Sequence, residues 1–402
     1  MTETIAIDGG LGEIRVAHLD EDGLRSLQYF RTTADVQEGD LFLARVTKAP
    51  PGLDGAFLSL DNSLEAFLPV RKAKSRPHEG ALIPVRVRTG ARPSKRITVS
   101  RDLGSAPGDI ITRESEAGGK PRLIWRDRNR WMQPVLDRAD DPDLEIRVDD
   151  AALFRALKAR CRENAPALAE CLIPDQGASP LFERLGIEEE IDALFDPRLP
   201  LPGGGSVTIE DTAAGTAIDV DTGTAGGPDM ERIALAVNLA AARLIGRQLR
   251  LRRTGGLVFI DFVTMRAARS RKSLLAALDQ VLESDTTPWE RTGLSRFGVV
   301  ELNRARVQTA LMDEISRGAG NTAPSAATEG HAILRKLAFE SRNRPGMALV
   351  VECRPETARW LRETQLEDHP VLDLASQKLH VQVVLEPTRD EATWSIHERP
   401  RR

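Results

Sequence analysis

The chain has 402 residues, 41% apolar and 29% charged, the balance of an ordinary folded protein rather than a disordered or fibrous one. A chain this long exceeds what one hydrophobic core usually serves, so several domains are expected. Its 60 acids against 56 Lys and Arg leave a formal charge of −4, which alone speaks against a nucleic-acid partner, and no apolar run nears the ~20 residues a membrane helix needs.

The opening MTETIAIDGG lacks the basic-then-apolar order of a signal peptide, so a cytoplasmic location with no membrane partner is expected. The first hundred residues read as β. Ile5–Ile7, Glu13–Ala17, Gly39–Thr47, Leu53–Leu60, Glu65–Pro69, Ala81–Val87 and Arg96–Ser100 are short alternating apolar runs separated by Gly, Pro and Asp. The five from about Gly39 to Arg101 suit one small barrel. Between Arg71 and Arg101 stand ten Lys/Arg (Arg71, Lys72, Lys74, Arg76, Arg86, Arg88, Arg92, Lys95, Arg96, Arg101) against one acid, Glu79. Such a local excess suits phosphate whatever the global sum, although a charge run is also often a plain solvated face.

Residues 104–122 read as a polar connection. An amphipathic helix is predicted over Ala151–Cys161, with Leu153, Leu157 and Cys161 on one face, and a second over Leu181–Phe195. Pro197, Pro200, Pro202 and the triple glycine 203–205 punctuate a boundary. Ser206–Glu210 and Thr216–Asp221 then form a predicted hairpin. A Gly-rich loop leads to a helix capped by Asp229, with Ile233, Val237, Ala240 and Leu244 on its buried side. Leu257–Phe262 (LVFIDF), a continuous apolar run interrupted by one acid, reads as a central strand. A helix over Arg269–Leu282, a strand near 297–301 and a Gly/Ala/Ser/Pro linker at 317–329 follow. The tail is read as helix 330–342, strand 347–353, helix 355–365 and strand 378–386. Cys161, Cys171 and Cys353 are scattered and odd in number, so neither a disulfide framework nor a zinc site is expected.

The sharpest chemistry lies in two acids. Asp219 closes one predicted buried strand and Asp261 another, and an unpaired buried carboxylate is costly. A divalent cation is one compensation: Mg²⁺ is a hard ion that usually takes one or two protein carboxylates, with water and phosphate oxygens completing its shell. Such an ion activates water and stabilises charge on a transferring phosphate. Asp221, two residues beyond Asp219, shares its strand face and is a further ligand, a partner to the ligands from outside the metal's shell, or a turn cap in Asp-Thr-Gly. Arg243, Arg247, Arg250, Arg252, Arg253, Arg266, Arg269, Arg271 and Lys272 crowd the same block. They suit a polyanion or form a solvated helix face.

The stretches GGGSVTIEDTAAGTAIDVDTG (203–223), NLAAARLIGRQLRLRRTGGLVFIDFVTM (238–265) and SRFGVVELNRAR (295–306) resemble, in order and spacing, the catalytic region of the ribonuclease E/G family. LFERLGIEEEIDALF (181–195) extends the match upstream, and residues 39–70 resemble that family's S1 RNA-binding domain. The resemblance implies an α+β multidomain fold. Its parts would be a reduced RNase H-like subdomain (1–38 and 102–195), an inserted OB-type S1 barrel (39–101), a metal-bearing α/β catalytic subdomain (196–306), a linker (307–329) and a small C-terminal α/β domain (330–402). The implied function is Mg²⁺-dependent endoribonuclease cleavage of single-stranded RNA in RNA processing or decay. The alternative is a non-catalytic or weakly active RNA-binding member of the family.

By the same resemblance Asp219 and Asp261 are the catalytic, metal-binding pair, and Asp221 stands where the family usually has Asn. Phe57, Phe67, Lys95 and Arg296 are implied RNA contacts, with barrel core as the alternative for the two phenylalanines. Two family features are missing. The segment between the barrel and residue 123 is too short for the 5′-monophosphate sensor, and residues 307–329 contain no cysteine for a zinc link. No structural zinc is expected, and any oligomer would not be zinc-linked.

Overall fold

Gly12 and Gly23, at φ +76° and +102°, turn the chain back on itself twice. They shape an antiparallel meander of β1 (Glu3–Gly10), β2 (Glu13–Asp20) and β3 (Gly23–Arg31). The structure is a computed structural model describing residues 3–61, 63–70, 76–90, 96–104, 106–141, 143–223, 229–318, 323–343, 348–388 and 394–398. β3 is absent from the sequence expectation for a physical reason. Its register against β2 slips between His18 and Leu19, leaving Arg25 unpaired, so Leu24 and Leu27 enter the same core although they are three apart.

β4 (Leu41–Lys48), β5 (Gly55–Ser59), β6 (Glu65–Pro69), β7 (Leu82–Thr89) and β8 (Ile97–Ser100) follow in the order β5-β6-β8-β7-β4, and β4 pairs back onto β5. This closes a five-stranded barrel around Phe42, Ala44, Val46, Ala56, Leu58, Ala66, Leu68, Val85, Val87, Ile97 and Val99. α1 (Gly108–Ala117) occupies the stretch expected to be a polar connection. None of its residues is buried, so no core-facing stripe marks it in the sequence. β9 (Arg122–Trp125) returns to pair with β4. Ala34–Arg130 with Val307–Thr309 make one compact unit.

The second unit takes Met1–Thr33, Trp131–Arg306 and Ala310–Arg402. α2 (Gln133–Leu136) and β10 (Leu144–Val148) lead to α3 (Ala151–Asn164), whose N-cap Asp150 accepts from Ala152 and Leu153 N–H. α4 (Pro166–Glu170) and β11 (Leu172–Pro174) complete a sheet ordered β11-β10-β1-β2-β3. One face of β1 packs Ile5 and Ile7 against Leu157, Cys161 and Leu168, while Ala6 on the other meets the cluster of Phe182, Ile187 and Ile191. Both faces are therefore covered. The second face is covered by α5 (Leu181–Arg184) and α6 (Ile187–Ala193), where one helix was expected; Gly186, at φ +69°, separates them.

β12 (Arg198–Pro200), β13 (Ser206–Asp211), β14 (Thr216–Asp221), α7 (Met230–Leu251), β15 (Gly256–Asp261), α8 (Ala268–Glu283), β16 (Trp289–Arg291) and β17 (Val299–Arg304) build the layer that carries the acids. Its sheet runs β12-β13-β14-β15-β17-β16, with β14 and β15 parallel. α7 and α8 pack Val237, Ala241, Ile245, Leu274, Leu278 and Leu282 onto Ile218, Val220, Val258, Ile260, Val300 and Leu302. α9 (Leu311–Ile315) and the first turn of α10 (Ala326–Asn343) fall inside the segment expected to be linker. The tail continues with β18 (Ala348–Cys353), α11 (Pro355–Glu363), the short β19 (Gln365–Leu366) and β20 (His369–Pro370), α12 (Val371–Leu379), β21 (Gln382–Pro387) and β22 (Ser395–Glu398). α12 was not anticipated, and it delays the last predicted strand to Gln382. Among the described residues no helix is long and apolar enough to cross a membrane.

Candidate active site

β14 and β15 lie side by side in register, with Asp219 opposite Asp261. Adjacent strands are ~4.8 Å apart, so two carboxylates at paired positions face one ligand-sized gap. Ile218, Val220, Val258 and Ile260 point into the helical layer, and alternation sends Asp219, Asp221 and Asp261 to the other face. That face is open: all three acids are exposed, as is Leu257 at 47%. The expectation of Asp219 and Asp261 as buried carboxylates is therefore corrected. The run LVFIDF is apolar on both sides, yet helices cover only one of them.

Among the described residues neither Asp219 nor Asp261 is hydrogen-bonded or ion-paired, so their mutual repulsion is uncompensated. Partial burial, then the charges of Asp261 and Asp221, push the Asp219 carboxyl above its ordinary range. Asp221 is occupied: its Oδ1 accepts Gly223 N–H at 3.0 Å, and Arg198 Nη2 stands 3.8 Å from its Oδ2. Of the three sequence-level roles, the turn cap is the one with a visible bond.

The backbone beyond Asp261 is pinned from α7. Asn238, fully buried, donates to Val263 O at 2.8 Å and accepts Val263 N–H at 3.0 Å. Glu231 accepts from Arg266 and Ala267 N–H at 2.9 and 3.1 Å. Asp229 caps the helix as expected, accepting Arg232 N–H at 3.1 Å. On the far side, the predicted strand near 297–301 begins only at Val299, and Ser295–Gly298 is a turn. Ser295 N–H donates to Val299 O at 2.9 Å and Gly298 N–H to Ser295 O at 3.1 Å. Gly298 takes φ +91°, and a Cβ there would lie 3.8 Å from Asp261 Oδ1. Arg296 is exposed on this turn, its guanidinium 4.6 Å from the centroid of the Phe297 ring. Asn238, Glu231 and Phe297 went unnoticed in the sequence: a lone Asn in a helix or a lone Phe in a turn has no periodic signal.

Arg243 on α7 is exposed, but the arginines around the C-terminal end of that helix divide from those that follow β15. Arg247 bonds Glu190 and Leu24 O, Arg250 bonds Val281 O and Ser284, Arg252 bonds Gln248, and Arg253 bonds Glu314. Those four hold the fold. Arg266, Arg269, Arg271 and Lys272 are exposed. A groove of about 500 Å³ is lined by Arg271, Lys272, Leu275, Asp279, Arg291 and Leu294 but by neither carboxylate of the pair. The pair itself sits on an open surface.

On the barrel, Phe57 and Phe67 are cross-strand neighbours with ring centroids 5.6 Å apart. Their strand partners Ala56, Leu58, Ala66 and Leu68 fill the core, so the two rings lie on the outer face and barrel core is excluded for them. Arg96 reaches over Phe57 at 5.0 Å. Gly55 makes room, because a Cβ there would meet the Phe67 ring at 2.1 Å. Lys95, with Arg71, Lys72, Lys74 and Arg92, lies outside the described residues. Arg76 is structural, donating to Pro50 O and Leu53 O.

An exposed pair of hard, unneutralised carboxylate oxygens on neighbouring strand ends fits Mg²⁺, which needs one or two such ligands. Among the described residues no three His, Cys, Asp or Glu converge as a metal-binding group. The fit therefore rests on the pair.

Exposed, paired carboxylates on neighbouring strand ends, with exposed Arg266, Arg269, Arg271 and Lys272 in the segment that follows β15, define an open, charged surface site. The Ribonuclease E/G family model matches residues 70–307, more than half of the chain, and the chain belongs to that family, whose members support an endoribonuclease. It is 25% identical to Ribonuclease G of Escherichia coli (strain K12) over 397 residues, covering 90% of this chain and 80% of that protein. It is 32% identical over 206 residues to the chloroplastic Ribonuclease E/G-like protein of Arabidopsis thaliana, and 34% over 205 to Ribonuclease E of Haemophilus influenzae. Each of these two matches covers 50% of this chain but only 21% and 22% of the relative.

Proposed function

We propose that this protein is a Mg²⁺-dependent endoribonuclease acting on single-stranded RNA in processing or decay. The observation that carries the reading is the in-register, unpartnered Asp219–Asp261 pair on an open sheet face. Asp219 and Asp261 would hold the ion, and Asp221 would add negative charge behind them. When bound, Mg²⁺ activates water and stabilises charge on the phosphate. The protein's own part is to fix the pair: Asn238 and Glu231 hold the backbone after Asp261, and the Ser295–Gly298 turn closes its other side. Exposed Arg296 suits a phosphate contact, and Phe57 and Phe67 offer a stacking surface that tolerates any base. The closed five-stranded barrel supports the S1 reading, and the two-sided sheet β11-β10-β1-β2-β3 supports the RNase H-like one.

The test is cleavage of a labelled single-stranded RNA, and of DNA of the same sequence, with Mg²⁺ or with EDTA. Wild type should cut RNA only with Mg²⁺, and Asp219→Asn should lower the rate at least ~100-fold, the scale of losing a charge-stabilising group. Uncut RNA in Mg²⁺ would sink the enzyme reading and leave an RNA-binding protein; equal cutting of DNA would remove the RNA preference.

A further inference from the structure

Among the described residues Phe297 is the most exposed large apolar side chain, at 74%, and neither the resemblance nor the catalytic reading gives it a role. Its place is unusual for an exposed phenylalanine. The turn carrying it is fixed at both ends: Ser295 Oγ accepts Phe297 N–H at 3.3 Å and Val299 N–H at 3.2 Å. The next residue is Gly298, where an added Cβ would lie 3.8 Å from Asp261 Oδ1. An aromatic ring thus stands in open solvent on the residue before the glycine that flanks Asp261. The Arg296 guanidinium, 4.6 Å from the ring centroid, completes a flat cationic and aromatic surface.

Leaving a phenyl ring in water forgoes the hydrophobic gain of burial, which a planar apolar partner would recover. The nucleic-acid reading supplies one. Where a phosphate lies over Asp219 and Asp261, an adjacent nucleobase is within a residue or two of the turn, and every base offers a π face.

We infer that Phe297 is a base-stacking residue that seats the nucleotide next to the scissile phosphate, with Arg296 bracing the ring and meeting the backbone. It would set the position of the cut strand, a different task from the general holding surface of Phe57 and Phe67. This rests on the single-stranded RNA reading above but not on cleavage, so it is tested by binding.

The experiment measures affinity in EDTA, by fluorescence anisotropy, for a short single-stranded oligoribonucleotide and for a strand of equal length built wholly of abasic sites. Wild type, Phe297→Ala and Phe297→Tyr are compared. Phe297→Ala should weaken binding of the normal strand about 5- to 150-fold, the range for one lost stack, and leave the abasic strand unchanged. Phe297→Tyr should bind within about two-fold of wild type. The coupling between base and ring, not the loss alone, separates stacking from a fold defect.

Three results would overturn the inference: equal loss on both strands, no loss on either, or a wild type that binds no RNA. So would loss of self-association in Phe297→Ala with RNA affinity intact, which would make the ring a protein contact. Cleavage with no Phe297 effect sinks this inference alone; a base-dependent Phe297 effect without cleavage sinks only the enzyme reading.

Discussion

Asp219 carries the clearest electrostatic signature of the site, because Asp261 stands in register with it and Asp221 shares its face. Removing one neighbouring charge should ease its ionisation. In metal-free protein, Asp221→Asn should lower the Asp219 pKa, read by carboxyl NMR titration; an unchanged value would mean that burial and Asp261 raise it without Asp221. A second acid behaves more strongly. Burial, then the charge of Asp8, push the Asp149 carboxyl up to about 8. Asp149 Oδ1 accepts Gly9 N–H at 2.8 Å, while Asp8 holds Arg15 and lies 3.4 Å from Arg335. The unfolded chain releases the Asp149 proton near pH 4, whereas the folded chain keeps it until about pH 8. Between those values the native state binds more protons, so this group's contribution to stability declines as pH rises. Glu13 acts oppositely. Against the upward push of burial, Arg31 and His331 head the positive charges that hold its carboxyl well below the usual range. Its contribution is complete above the unfolded value near 4.5 and is lost on acidification. Asp149→Asn should thus flatten the fall in urea midpoint between about pH 5 and pH 8 and leave the acid limb intact. An unaltered slope would show that Asp149 ionises normally.

At the scale of elements, the catalytic layer depends on α7 holding the strand ends. Asn238→Ala would orphan Val263 N–H and C=O at a buried position, which costs roughly 1–3 kcal/mol for each group left unmet. The expected outcome is a thermal midpoint several degrees lower and a reduced kcat, because the backbone leaving Asp261 loses its anchor. Full activity in a destabilised Asn238→Ala would separate the anchor from the site. Much of this layer was legible beforehand. The hairpin Ser206–Asp211 and Thr216–Asp221, the Asp229 cap and the strand over Leu257–Asp261 follow from alternation, capping chemistry and apolar runs. The open face was not legible, since Leu257 and Phe259 look as buried as Val258 and Ile260 when only their side chains are read. The buried stripe of α7 also sits slightly off its predicted line: Ala234, Val237, Ala241 and Ile245 are buried, whereas Ile233, Ala240 and Leu244 are only partly so. β3 escaped because a bulge breaks the period of two. The Leu181–Phe195 helix broke because Gly186 adopts a left-handed conformation that residue type alone permits but does not require.

For the whole molecule, the sum of charges and their placement point in opposite directions. A net charge of −4 would repel RNA if the protein acted as a uniform sphere. Arg96 on the barrel surface, which also pairs with Glu65 at 3.2 Å, and Arg296 on the turn before β17 instead offer local cations over aromatic rings. Each phosphate they neutralise releases condensed counterions, at about 0.7 in the slope of log affinity against log salt for a single strand. Affinity should therefore fall with salt despite the negative total. Arg96→Gln and Arg296→Gln should each make that slope shallower by about 0.7, so an about threefold rise in salt would cost each variant about two-fold less affinity than wild type. Arg160→Gln changes net charge by the same amount, but Arg160 lies on α3, 3.7 Å from Glu163, and belongs to neither aromatic surface. Its slope should match wild type. Equal shifts in all three variants would mean that total charge governs RNA binding, and that neither arginine meets the phosphate backbone.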